Sequence, residues 1–369
     1  MKKGNTLLLM LGLGLLMIFL ATPLQAQNVT TPRPSPAATL QQNLGLAQIT
    51  VNYSRPQVIV NGNDRTDKVW GQLVGYGFNK INFASQGEIP WRAGANENTT
   101  IQFSHDVKIE GKALKAGTYG LHMAVYETGK VTLIFSHNTS SWGSFWYDEK
   151  EDALRVDVQS QDHAFTNVLT YEFIEFGQDH ATLALNWEKK SIPFKISIAT
   201  QDLTLASFRD ELRGLKGFSW QGPLSAANYC LQNNTNHEEA LGWANRALGA
   251  NKNFQTLSVK SGLLLQLGKK EEAMPIADEA AQLANVNQLN GLGYMMLQNK
   301  EAKKAVAYFK QNAEQNPKNA NCHDSLGEGY MALGENDKAI ESFKKSLSLN
   351  PAPLLKANSL KNLEKLGVK

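Results

Sequence analysis

Cysteine is nearly absent. Cys230 and Cys322 are the only two in 369 residues, which excludes a dense disulfide framework. An excess of one charge is missing too. There are 37 Lys and Arg against 34 Asp and Glu, a net of +3, and setting aside Lys2 and Lys3 leaves 35 against 34. No strong field therefore exists to hold nucleic acid or an anionic membrane by charge alone. The seven histidines include no His-x-His or His-x-x-x-His pair, and no Cys-x-x-Cys occurs. Spacing thus names no metal site and no cofactor. Glycine-rich phosphate loops are lacking as well: Gly75-Tyr76-Gly77 has no third glycine and no Lys-Ser/Thr after it. Ser219, in Gly217-Phe218-Ser219-Trp220-Gln221, misses the second glycine of a hydrolase elbow. No catalytic residue can be named.

Long apolar runs are scarce, with one exception. Lys2 and Lys3 precede an apolar stretch from Leu7 to Ala21, and Pro23-Leu24-Gln25-Ala26 ends it on a small residue. About fifteen apolar residues suit a secretory leader and fall short of the roughly twenty of a membrane span. The expectation is a signal peptide over residues 1–26, cleavage after Ala26, and an exported chain, periplasmic or secreted, with no stable membrane span after processing.

Three prolines between Thr30 and Pro36 mark an extended lead-in. From Gln48 to about Thr200 apolar residues alternate with period two, as in Gln48-Ile49-Thr50-Val51-Asn52-Tyr53 and Thr100-Ile101-Gln102-Phe103. Tyr119–Tyr126 and Val131–Phe135 flank Glu127-Thr128-Gly129-Lys130, which is hairpin chemistry. Further strands are expected at Leu154–Val158, Val168–Phe176, Thr182–Trp187 and Ile192–Ile198. Asn61 to Asn98, Gly-rich and irregular, is expected as a long excursion packed on the sheets. Many short strands with turns between them predict an antiparallel β-sandwich-like domain.

Past Thr204 the period becomes helical. Gly293/Gly327, Ala305/Ala339, Phe309/Phe343 and Pro317/Pro351 are each 34 residues apart, the period of tetratricopeptide helix–turn–helix units. Two weaker copies are marked by Glu238-Glu239-Ala240 and Glu271-Glu272-Ala273. A stripe of Leu354, Ala357, Leu360, Leu363 and Leu366 predicts a helix that caps an all-α solenoid. The expected order is residues 1–26 leader, 27–47 lead-in and start of the β-domain, 48–202 β-domain, 203–220 connecting helix and loop, and 221–369 repeats. Cysteines three units apart in such an array are too distant for a bond, so both are expected as buried thiols.

Tyr53-Ser54-Arg55-Pro56, Trp91-Arg92-Ala93-Gly94-Ala95-Asn96-Glu97-Asn98-Thr99-Thr100, Ala116-Gly117-Thr118-Tyr119-Gly120-Leu121, Trp142-Gly143 and Asp152-Ala153-Leu154-Arg155 form a pattern. It resembles the bacterial exported family called domain of unknown function 2911, over most of residues 30–190. The resemblance implies a β-domain that is often followed by tetratricopeptide repeats, and it implies no activity. Gly77 to Pro90 is longer here than that pattern.

Arg55, Trp91, Arg92, Asn96, Glu97 and Trp142 are the candidate ligand-binding residues, since such side chains stack on and hydrogen-bond a planar or sugar-like ligand. The alternative is that Trp91 covers the core while Arg55 and Arg92 pair with Glu97 or loop carbonyls. Gly94 between Ala93 and Ala95 favours that tight packing. For function, the solenoid predicts an interaction protein with a protein partner, whose β-domain binds that partner or a small ligand. The competing expectation is an envelope-associated, hydrolase-like enzyme sited around Trp91, Arg92 and Glu97.

Overall fold

A computed structural model describes residues 31–81 and 87–368; the expected leader lies outside them. The chain divides between Thr200 and Gln201 into two compact units. No described helix is long and apolar enough to cross a membrane.

The first unit holds β1 (Ala37–Leu44), β2 (Ala47–Ser54), β3 (Ile59–Val60), β4 (Asn63–Asp64), β5 (Asn79–Lys80), β6 (Glu88–Ile89) and β7 (Thr100–Phe103). It continues with β8 (Val107–Ile109), β9 (Lys112–Leu114), β10 (Gly117–Val125), β11 (Lys130–Ser136), β12 (Asp152–Gln159), β13 (Gln161–Phe176) and β14 (His180–Ser197). Two antiparallel sheets dominate, in the orders β1-β2-β7-β10-β11-β12 and β13-β14-β8-β9. The period-two pattern does what it should: Ala47, Ile49, Val51 and Tyr53 of β2 are buried while Gln48 and Asn52 face out. Aromatic pairs join the two sheets, Phe135 of β11 to Phe194 of β14 and Tyr53 of β2 to Tyr171 of β13. β14 runs unbroken through the gap left between the expected strands at Thr182–Trp187 and Ile192–Ile198. Glu188 takes a left-handed φ of 56° there. That kink accommodates the irregular register between β13 and β14.

β10 is buried along its whole second half, Tyr119 to Val125. Its partner β7 matches only Gly117–Gly120. Beyond that the excursion takes over: Leu121 donates to the Thr99 carbonyl, Trp91 and Met123 exchange two backbone hydrogen bonds, and Gly77 donates to Val125. The irregular segment therefore continues the sheet, satisfying backbone groups that burial would otherwise strand.

The second unit contains α1 (Thr200–Glu211), α2 (Gln221–Gln232), α3 (His237–Ala250), α4 (Phe254–Gln266), α5 (Lys270–Leu283), α6 (Val286–Gln298), α7 (Ala302–Gln315), α8 (Ala320–Leu333), α9 (Asn336–Ser348) and α10 (Pro353–Lys365). From α2 to α9 these form four hairpins. Ala240, Ala273, Ala305 and Ala339 recur at spacings of 33, 32 and 34, and all are fully buried. The turn inside each hairpin uses left-handed φ: Asn234 and Asn236 in the first, then Gly268, Lys300 and Gly334. Asn253, Asn285 and Asn319 cap α4, α6 and α8 with their side chains.

The faint early copies have a packing reason. A Cβ on Gly293 or Gly327 would run into the ring of Phe309 or Phe343. Where the later hairpins combine Gly with Phe, the second has Ser261 and Ala277 at the corresponding positions, both buried. A smaller buried pair takes the place of Gly and Phe, and the motif disappears.

The capping helix needs a correction. Leu354 and Leu360 of the expected stripe are exposed, and only Leu363 and Leu366 pack. Polar groups seat α10 instead. Asn358 donates to Asp324 and Glu328 at 2.8 Å each, and Ser359 donates to Asp324, which is itself buried.

Candidate functional site

The Trp91–Thr100 motif is a tight turn folded on itself. Ala93 and Asn96 adopt left-handed φ values of 49° and 60°. The Ala93 carbonyl accepts from Thr99 Oγ1 (3.2 Å) and Tyr171 Oη (2.9 Å), and Trp91 Nε1 donates to the Gly94 carbonyl (3.1 Å). A Cβ on Gly94 would meet Thr99 Oγ1 at 2.6 Å and the Ser54 carbonyl at 3.2 Å, so glycine is required by close backbone approach.

Three of the six expected residues, Trp91, Arg92 and Asn96, line one cavity of about 520 Å³. Trp91 stacks on Trp187 at 5.9 Å and 16°, and Trp70 meets both edge-on at 5.7 and 5.9 Å. Arg92 reaches the other way as well. Its guanidinium lies 4.5 Å over the Phe145 ring and donates to the Asn96 carbonyl, and burial lowers its pKa.

The other three stand elsewhere. Arg55 donates to the Leu169 carbonyl (2.9 Å) and Thr170 Oγ1 (2.6 Å), tying the end of β2 to β13. Glu97 pairs with Arg33 on the surface, so neither Arg55 nor Arg92 meets it. Trp142 is 47% exposed and does not line the cavity. Its neighbour Gly143 packs against the Arg92 guanidinium instead. The grouping of Trp91, Arg92 and Glu97 needed for a hydrolase-like site is therefore not assembled here.

Sequence reasoning missed several residues. Arg65 and Trp187 line the same cavity, and Trp70 backs it. No local spacing links positions from such separate segments. His122, inside the predicted strand Tyr119–Tyr126, has no spacing partner to mark it. It is buried, shares a 2.8 Å hydrogen bond between Nδ1 and Ser144 Oγ, and meets Tyr147 edge-on. Burial first, then the Arg92 charge, pushes its pKa down to about 4. A neutral imidazole thus pins the 137–148 loop to β10. Both cysteines are free and buried, and burial raises the Cys230 thiol to about 11 and that of Cys322 in the same direction.

Residues 35–196 match the family described as Protein of unknown function (DUF2911). In the second unit residues 320–353, comprising α8, α9 and the turn after them, match the Tetratricopeptide repeat. No curated protein matches this chain. Among solved structures it is similar to YrrB, described as a TPR protein with an unusual peptide-binding site. Identity is 21%, coverage 43% of this chain and 83% of that one, and TM-score 0.32. MamA from Desulfovibrio magneticus RS-1 is 19% identical, with 42% and 94% covered and a TM-score of 0.29. PilF of Pseudomonas aeruginosa is 18% identical, with 41% and 70% covered and a TM-score of 0.32.

Proposed function

We propose that this is an exported interaction protein whose helical array takes a segment of another protein along the layer formed by α2, α4, α6 and α8. The observation that carries this is the distribution of charge. Those four helices, which pack one on the next, hold only Lys260, Asp324 and Glu328 among Lys, Arg, Asp and Glu. The outer helices α3, α5, α7 and α9 carry three to five each. A solvated layer has no need to shed charge. A layer that meets a partner does, because desolvating unpaired charge is costly and neutral amides and apolar side chains are not. The neutral layer keeps polar donors and acceptors in Gln255, Asn287, Asn290 and Gln298, and Asn290 Oδ1 is buried without a hydrogen-bond partner.

A photo-crosslinking residue placed at Asn287 in living cells should yield a covalent adduct with a distinct protein, while one at Lys344 on α9 should not. Adducts from Lys344 alone would overturn the assignment of the face. Export is tested separately. Mass spectrometry of the native protein should find its N-terminus at or beside Gln27, and an intact leader would refute it.

A further inference from the structure

The cavity beside the Trp91 turn has a chemical bias that the array does not share. Two arginines line it, Arg65 and Arg92. Both are partly buried, and among the described residues neither forms an ion pair. Arg65 donates only to the carbonyls of Gln57 (2.6 Å) and Val58 (3.4 Å), and Arg92 to that of Asn96. Guanidinium groups of this kind are ordinarily matched with carboxylates when desolvated. Nothing acidic stands among the lining residues to offset them.

A second observation points the same way. Trp187, 1% exposed, lines the cavity, and its Nε1 is buried without an acceptor; Trp70 Nε1 behind it is also unpartnered. Buried polar groups are almost always satisfied, so an orphaned donor on a residue that lines a cavity points to an acceptor the fold itself does not supply. The buried orphan acceptors in this unit, Asn98 Oδ1, Asp152 Oδ1 and Asn186 Oδ1, do not belong to lining residues. Ser35, Gln57 and Asn96 add neutral polar groups, and the rest of the wall is largely apolar or aromatic, with Pro34, Pro56, Val60, Leu73, Val74 and the stacked Trp91.

We propose that this cavity binds a small organic anion, a planar or sugar ring bearing a carboxylate or phosphate. The anionic group lies toward Arg65 and Arg92 and accepts from Trp187, while the ring packs on the indole and proline wall. At about 520 Å³ the space suits a ligand of that size.

The test uses the full mature chain and its intrinsic tryptophan fluorescence, with calorimetry as a second readout. Phenyl phosphate, benzoate, inorganic phosphate and the neutral benzamide are titrated in turn. Saturable binding of phenyl phosphate or benzoate is expected, at least tenfold tighter than benzamide, and whichever binds tighter assigns the anionic group. Arg65→Gln should weaken it at least tenfold and Arg65→Lys less, because the forked donor is lost before the charge. Trp187→Phe keeps a smaller aromatic ring and deletes the orphaned N–H. It should weaken binding while the chain stays folded, with a modestly lower ligand-free melting temperature from the space it leaves, so it remains informative if Arg65→Gln fails to fold. Benzamide binding as well as the anions would overturn the proposal. So would an absence of saturation by any anion in the millimolar range. Inorganic phosphate matching phenyl phosphate would overturn the part assigned to the ring.

Discussion

The two units solve the same problem, burying irregular backbone and polar groups, by opposite means. The helical array repeats one solution four times. Small residues recur at fixed places, Asn caps recur, and a left-handed residue closes each hairpin. The β-unit uses one-off contacts: a left-handed turn at Ala93, a tryptophan trio, and a histidine pinned under a loop. A repeated solution tolerates substitution within its pairs, while a one-off contact has no substitute elsewhere in the fold. Damage to the β-unit should therefore be larger per residue, and several measurements can break or sharpen that contrast.

The largest effect is expected at Trp187. Removing a stacked, fully buried indole in Trp187→Ala should cost about 3–5 kcal/mol, read as loss of the β-unit's transition in denaturant melts of the whole chain. Trp91→Ala should cost less, because its ring is only partly buried. An equal or larger loss at Trp91 would shift the weight to the turn itself.

Acid should come next, with opposite signs in the two units. His122 is neutral when folded until about pH 4 but takes a proton near pH 6.5 when unfolded. Its contribution is complete above pH 6.5 and is lost as pH falls toward 4, on the order of 3 kcal/mol in all. His122→Gln should flatten that part of the β-unit's pH profile. Asp324 moves the other way. Burial raises its carboxyl pKa, so the folded array holds that proton more tightly and gains as pH falls through the raised value toward the ordinary carboxyl range. Asp324→Asn should remove this gain, and a steeper acid loss in the β-unit of His122→Gln than in the parent would contradict the pinning role.

In the array, Gly327→Leu should cost about 1–3 kcal/mol by overpacking Phe343, whose ring lies 2.7 Å from where a Cβ would stand. The sharper test is a double-mutant cycle. Gly327→Ser with Phe343→Ala copies the pair at Ser261 and Ala277, and should cost less than the two single changes summed, by about 0.5–3 kcal/mol. Strict additivity would mean that the two positions do not pack as a coupled pair.

The smallest effect is a gain. Lys300 holds the left-handed position that Gly268 and Gly334 hold in neighbouring hairpins, so Lys300→Gly should stabilise by about 1 kcal/mol or less. Thermal melts would detect it.

The array was legible because its determinants are local and periodic. Gly293, Phe309, Gly327 and Phe343 announce themselves by spacing, and only the Ser261–Ala277 exchange hid the second copy. The cap was misjudged because a leucine stripe looks apolar whichever face it presents, and the buried Asp324 that attracts Asn358 and Ser359 lies a whole hairpin earlier. In the β-unit, alternation revealed the strands and the excursion from Asn61 to Asn98. It could not show that this excursion continues β10's sheet, since such pairing depends on where β7 stops. The sequence by itself determined the element types, the hairpin period and the Trp91–Asn96 part of the cavity, all set by residues near one another in the chain. Only the tertiary structure decided that Arg65 and Trp187 join that cavity while Arg55, Glu97 and Trp142 do not. Long-range packing brings together side chains from separate strands and loops, and no spacing rule records which of them meet.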